Sequence, residues 1–143
     1  MSWKMINDAT EVIYHDVRSI CYQILDAHNL PAWNPAISSV EASDCTGVFL
    51  ISVRGLLKGT LTYAQPNPRT INMSMSLPGL TEESTFTLSP QPGGTRVTHT
   101  ISQWGLLAAI IGRTEVSLVP AKRLARLARY LDKLCDGRNA SIG

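Results

Sequence analysis

The sequence predicts an α+β domain: a seven-stranded, curved antiparallel sheet wrapped around a long C-terminal helix, with two short helices between strands one and two. Three observations carry this. From Ile37 to Trp104 the polar and apolar residues alternate with a period of two, in six segments broken by turn residues. The breaks are only a few residues long, enough for hairpins and far too short for parallel crossovers. After Trp104 the period becomes helical, and the resulting apolar stripe needs a surface to cover.

In chain order, Thr10–His15 (TEVIYH) is β-branched and aromatic and reads as the first strand. Asp16 stands at a helix N-cap position, and Val17, Ile20, Cys21, Ile24 and Leu25 follow at helical spacing to about Ala27. The next residues, HNLPAWNP, cannot continue that helix, because Pro31 and Pro35 lack N–H donors and push their predecessors towards extended backbone. A turn with a stub of second helix fits. The six later strands are expected at Ile37–Ala42, Gly47–Gly55, Gly59–Gln65, Thr70–Leu77, Leu80–Ser89 and Thr95–Trp104. Asp44, Lys58-Gly59, Pro66-Asn67-Pro68, Pro78-Gly79 and Pro92-Gly93-Gly94 supply the turns.

The final helix is expected from about Glu115 to Cys135, regular only from near Val119 because Pro120 suits a first turn, and ended by a Gly137 cap. Leu124, Leu127, Leu131 and Leu134 form its stripe. Lys122, Arg123, Arg126, Arg129 and Lys133 are assigned to the water-facing side.

Alternation also assigns sheet faces. Ile71, Met73, Met75 and Leu77 share one face; Glu82, Ser84, Phe86 and Leu88 share another; Val97, His99, Ile101 and Gln103 a third. Each strand thus has one polar and one mainly apolar face, as a sheet covered on one side requires. Gly47–Gly55 is apolar on both faces, which leaves the direction of Arg54 open.

The 143-residue chain is long enough for one domain with a real core. Its 13 basic and 11 acidic residues give no support for nucleic acid as a partner. Cys21, Cys45 and Cys135 are odd in number and form no C-x-x-C pair, which suits a reduced, cytoplasmic setting. The longest apolar run, Leu106–Ile111, is far below the roughly 20 residues of a membrane span. No phosphate loop, nucleophile elbow or metal-ligand spacing is present, so neither a cofactor nor a metal is expected. A homodimer is left open.

The order strand, helix–turn, six strands, long helix resembles the helix-grip superfamily of START-like, Bet v 1-like proteins, and within it the small bacterial polyketide cyclase/dehydrase group. The residues carrying the resemblance are Ile20–Asp26 (ICYQILD), Asn29–Pro35 (NLPAWNP) with its Pro-x-Trp-x-Pro turn, and Gly93–Thr98 (GGTRVT). It implies a hollow between sheet and helix and a hydrophobic small-molecule substrate or ligand.

In that architecture Met73, Met75, Phe86, Val97, Ile101, Leu61 and Tyr63 line the hollow, the methionines forming an adaptable wall. His99 reads either as a satisfied core histidine or as a proton carrier that needs little tuning. Glu82 is either a desolvated proton donor or acceptor or a rim residue in water. Tyr63 reads either as a packed tyrosine bonded to a backbone group or as a holder of a carbonyl oxygen as enolate charge develops, helped by Arg54 if that side chain faces inward. Gln103 would orient a polar group, Trp104 would flank the mouth, and Trp33 reads either as a second residue of the mouth or as a structural lock on the proline turn. The loop Gly105–Gly112 (GLLAAIIG) is either a lid or a ramp into the helix. The implied function is cofactor-free cyclisation or dehydration of an apolar, carbonyl-rich metabolite, with His99, Glu82 and Tyr63 catalytic. The alternative is a non-catalytic carrier or sensor of a lipid-like molecule. A third reading is an interaction module using the basic helix face.

Overall fold

The computed structural model describes residues 4–106 and 113–142. The strands are β1 (Lys4–Ile13), β2 (Ile37–Ala42), β3 (Val48–Val53), β4 (Leu57–Asn67), β5 (Thr70–Leu77), β6 (Leu80–Gln91) and β7 (Gly94–Trp104). They form one antiparallel sheet in the order β1-β7-β6-β5-β4-β3-β2. Helix α1 (Val17–Leu25) and a 3-10 turn (Ala27–Ala32) link β1 to β2, and α2 (Arg113–Ile142) closes the described chain. This is the helix-grip fold. No helix among the described residues is long and apolar enough to cross a membrane.

Most strand ends shift by one or two residues from the sequence expectation, and three differences are larger. β1 begins at Lys4, well before Thr10, and runs in unbroken register from Lys4 opposite Trp104 to Ile13 opposite Thr95. It is an edge strand with Lys4, Asn7, Asp8 and Glu11 in it, so its alternation is hidden by charge. α2 contains Pro120, which removes one internal bond without ending the helix. It also runs through Gly137 to Ile142: a helical glycine costs only about 1 kcal/mol relative to alanine, and no proline follows to stop the chain. Residues 107–112, most of the expected lid or ramp, lie outside the described residues.

The inward face of the sheet carries the core. Leu61, Ile71, Met73, Phe86, Leu88, Val97 and Ile101 are all 1% exposed or less. On β3, where the sequence left the faces open, Ile51 is buried while its neighbour Leu50 is 45% exposed, so Phe49, Ile51 and Val53 face inward. A Cβ at the inward Gly59 would collide with the Ser76 carbonyl, so only glycine allows β4 and β5 to approach this closely.

The two ends of the grip are filled differently. The upper end carries the β6–β7 turn and α1, and the 3-10 turn runs down from it to the start of β2, its His28 edge-on to Phe49 with centroids 5.8 Å apart. Here Ile20, Ile24, Leu30 and Trp33 are fully buried, and Trp33 packs edge-on to Phe86 with centroids 5.9 Å apart. His15 at the end of β1 bonds Asp132 of α2 at 2.8 Å, tying the helix down on this side. The lower end carries the β3–β4 and β5–β6 turns. α2 lies mainly over β1 and β7, away from β3 and β4. There the inward side chains of Phe49, Val53, Leu57, Tyr63 and Leu80 are only partly buried.

Candidate functional site

Sequence alternation put Glu82, Ser84, His99 and Gln103 on the inward face, and the register brings them together. Glu82 stands opposite Gln103, and Phe86 opposite His99. All four polar side chains are buried, His99 completely.

Their partner is Arg123, which the sequence reading assigned to water. It is 6% exposed and reaches from α2 across to the sheet. Its Nη1 lies 2.8 Å from Glu82 Oε2 and its Nη2 3.0 Å from Oε1, a two-pronged ion pair. Gln103 Nε2 donates to Oε1 at 2.6 Å, and Ser84 Oγ donates to Oε2 at 3.0 Å. The carboxylate thus receives four donors. Burial alone would raise its pKa, but the charge and hydrogen bonds of Arg123, with that of Gln103, win; Glu82 is held below the usual carboxylate range.

His99 lies against the same guanidinium. Arg123 Nη1 is 3.4 Å from Nε2, and the Thr85 carbonyl is 3.3 Å from Nδ1. Arginine only donates, so Nε2 must accept and the proton belongs on Nδ1, bonded to Thr85. The ring stacks on Phe86 with centroids 4.0 Å apart and planes 5° apart. Burial, then the positive charge of Arg123, pushes the imidazole pKa down to about 3. His99 is therefore neutral at ordinary pH, and no position on either ring nitrogen is spare.

The sign of the pH effect follows. With the folded pKa near 3 and the unfolded one near 6.5, the unfolded chain binds the extra proton throughout that interval. Stability falls as pH drops through it, by up to about 1.4 kcal/mol per pH unit. Glu82 adds to the loss at the acid end, since a depressed carboxyl stabilises only while ionised. Urea midpoints of wild type and His99→Gln between pH 7 and 4 should show the slope shrinking in the variant. Equal slopes would contradict a neutral, buried His99.

The other sequence candidates are placed as follows. Met73 and Met75 are inward and 1% and 5% exposed, opposite Ser84 and Glu82. Tyr63 is inward on β4, opposite Met73, with Phe49 edge-on at 6.3 Å. Its hydroxyl is buried without a hydrogen-bond partner, and burial with the nearby Asp26 charge raises its pKa. Arg54 is not inward: it sits exposed in the β3–β4 turn at φ 52°, a conformation that holds it outside the sheet face. Trp104 is not at the mouth. Alternation puts it on the outer face with Thr100 and Ser102, under the Lys4 ammonium at 5.6 Å. Trp33 is not there either, being fully buried over Phe86. Phe86 and His99, expected to look into the hollow, are covered by Trp33 and Arg123.

A groove of about 280 Å³ crosses the outer face between β4 and β6, walled by short polar residues such as Thr62, Asn72, Ser74 and Thr85. It lies on the opposite side of the sheet from the methionine side chains. Among the described residues no set of three or more His, Cys, Asp or Glu side chains could hold a metal ion.

Arg123 was the residue missed, and a signal existed. It precedes Leu127 by four and Leu131 by eight, so it lies on the apolar stripe itself.

Comparison with known proteins agrees with this architecture. The chain is similar in fold to a START superfamily protein from Mycobacterium smegmatis (17% identity, 96% of this chain and 99% of that one, TM-score 0.65). It is also similar to a conserved protein from Geobacillus kaustophilus (16% identity, 90% and 96% covered, TM-score 0.70). Truncated norcoclaurine synthase from Thalictrum flavum shares the fold at 10% identity, with 91% and 94% covered and a TM-score of 0.66. No curated protein gives a sequence match. The profile of one family, described as polyketide cyclase/dehydrase and lipid transport, matches residues 20–134. With the helix-grip architecture and a match over most of its length, the chain belongs to the polyketide cyclase/dehydrase and lipid transport family.

Proposed function

We propose that the protein binds a small, mainly apolar molecule between the lower half of the sheet's inward face and the first turns of α2, without a proton shuttle. One observation carries the reading: Phe49, Val53, Leu57, Tyr63 and Leu80 point inward yet remain partly exposed, while the upper end is filled by Trp33 and α1. An apolar wall kept partly open inside a folded domain is a binding surface. Met75 and Met73 supply adaptable floor beside it, and the Tyr63 hydroxyl supplies a free donor.

The polar cluster supports binding over proton transfer. A neutral His99 with both nitrogens engaged and a four-donor Glu82 carboxylate are anchors, not shuttles. In this reading Arg123 joins helix to sheet and fixes the back of the site. A second reading, cyclisation or dehydration, has one observation of its own. The unpartnered Tyr63 hydroxyl is suited to receive a carbonyl oxygen as enolate charge grows, with the rate gain coming from holding the chain folded.

Native purification followed by extraction and mass spectrometry separates the two. A bound apolar molecule released unchanged supports the carrier; a substrate converted by wild type but not by Tyr63→Phe supports the cyclase. Tyr63→Phe should also weaken 2-acetylnaphthalene by about 5-fold or more and leave 2-methylnaphthalene unaffected. Equal loss for both probes would mean that the hydroxyl touches no ligand carbonyl.

A further inference from the structure

Two polar atoms of the Glu82 cluster are left over. Gln103 Nε2 and Arg123 Nη2 both donate to Glu82 Oε1, at 2.6 and 3.0 Å, so the amide and the guanidinium sit side by side on one oxygen. Both residues are 6% exposed. Yet Gln103 Oε1 and Arg123 Nε have no hydrogen-bond partner among the described residues. Each is bonded to the same carbon as a nitrogen anchored on Glu82 Oε1, so both belong to groups that meet at that oxygen.

We propose that these two atoms form a subsite for a hydroxyl group of the bound molecule, a deeper statement of the binding reading above and dependent on it. The chemistry selects the group. Arg123 Nε–H can only donate and Gln103 Oε1 can only accept, so the occupant must accept from one and donate to the other. A hydroxyl does both. A ketone or ether oxygen satisfies Arg123 alone. A carboxylate donates nothing and meets the Glu82 charge; an ammonium meets Arg123.

Register places the subsite beside the apolar floor. Gln103 stands opposite Glu82, Glu82 opposite Met75, and Met75 opposite Leu61. Tyr63, whose hydroxyl is also unpartnered, stands on the strand two removed from Glu82, its backbone roughly 10 Å away at the usual strand spacing. The ligand class is therefore a neutral alcohol, enol or phenol with an apolar body over Met75, and room for a second oxygen near Tyr63.

The test uses three probes of one shape, each titrated against protein loaded with the fluorophore anilinonaphthalene sulfonate. 2-Naphthol should bind at least about 10-fold more tightly than 2-methylnaphthalene. 2-Methoxynaphthalene, which accepts but cannot donate, should fall within about 3-fold of the methyl compound, because it leaves Gln103 Oε1 unpaired. Arg123→Lys keeps the positive charge but lacks the Nε–H, and should bring naphthol to within about 3-fold of the methyl compound. Should that variant not fold, Gln103→Met is predicted to give the same collapse. Equal binding of all three probes by wild type would overturn the subsite and leave the apolar site standing. Failure of all three to bind would overturn both, and a naphthol preference that survives in the variants would remove it from Arg123 and Gln103.

Discussion

Arg123→Met should destabilise the fold by roughly 3–5 kcal/mol, because it strands the Glu82 carboxylate in the interior without its counter-charge. Ser84 and Gln103 would still donate to it, but two hydrogen bonds do not replace a cation at 2.8 Å. The carboxyl would then take up a proton, reversing the direction in which its pKa is now held. The double variant Glu82→Met/Arg123→Met should recover most of the loss, since an apolar pair of similar volume is commonly as stable as a buried ion pair. Urea unfolding of the wild type, both single variants and the double closes the cycle. A single-variant loss below about 1 kcal/mol, the range of an exposed pair, would mean that the ion pair is not buried as described.

The second large effect belongs to Trp33. Trp33→Ala should cost about 3–5 kcal/mol, the range for removing a fully buried aromatic side chain. The indole fills the upper half of the grip and loses its edge-on contact with Phe86 when truncated. Phe86 is also the ring on which His99 stacks, so the variant should loosen the imidazole and bring its pKa back towards the ordinary value. Thermal unfolding should move down by roughly 10 °C. A shift of only a degree or two would show that the tryptophan is not the plug described.

The meander was legible because its turns are. β2 and β5 start and stop where the alternation does, each bounded by Pro, Gly, Asn or Asp. β1 was not, since Lys4, Asn7, Asp8 and Glu11 make an edge strand look like a polar segment until β7 pairs with it. The inward positions of Glu82, His99 and Gln103 followed from a period of two. What joins them did not, because a positive charge on a helix is read as solvated by default. Four buried polar groups on one sheet face need a counter-charge, and Arg123 lies on the stripe that faces them. That argument could have been made from the letters alone. The place of the open wall could not. It depends on how far the Pro-x-Trp-x-Pro turn swings Trp33 inward, which is a matter of packing among distant elements.

Arg54 shows a different limit. It stands just past the end of β3 in a left-handed conformation, where alternation loses its force. Trp104 did follow the alternation, which puts it on the outer face; its expected place at the mouth came from the architecture the chain resembles.

The central claim is that an apolar molecule enters the lower half of the grip and lies against the methionine floor. Methyl-labelled methionine NMR tests it most directly, because Met73 and Met75 are on that floor. On titration with 2-naphthol the methyl signal of Met75 should move furthest, with Met73 next. Saturable binding that leaves both floor methyls unmoved would put the ligand elsewhere and contradict the account.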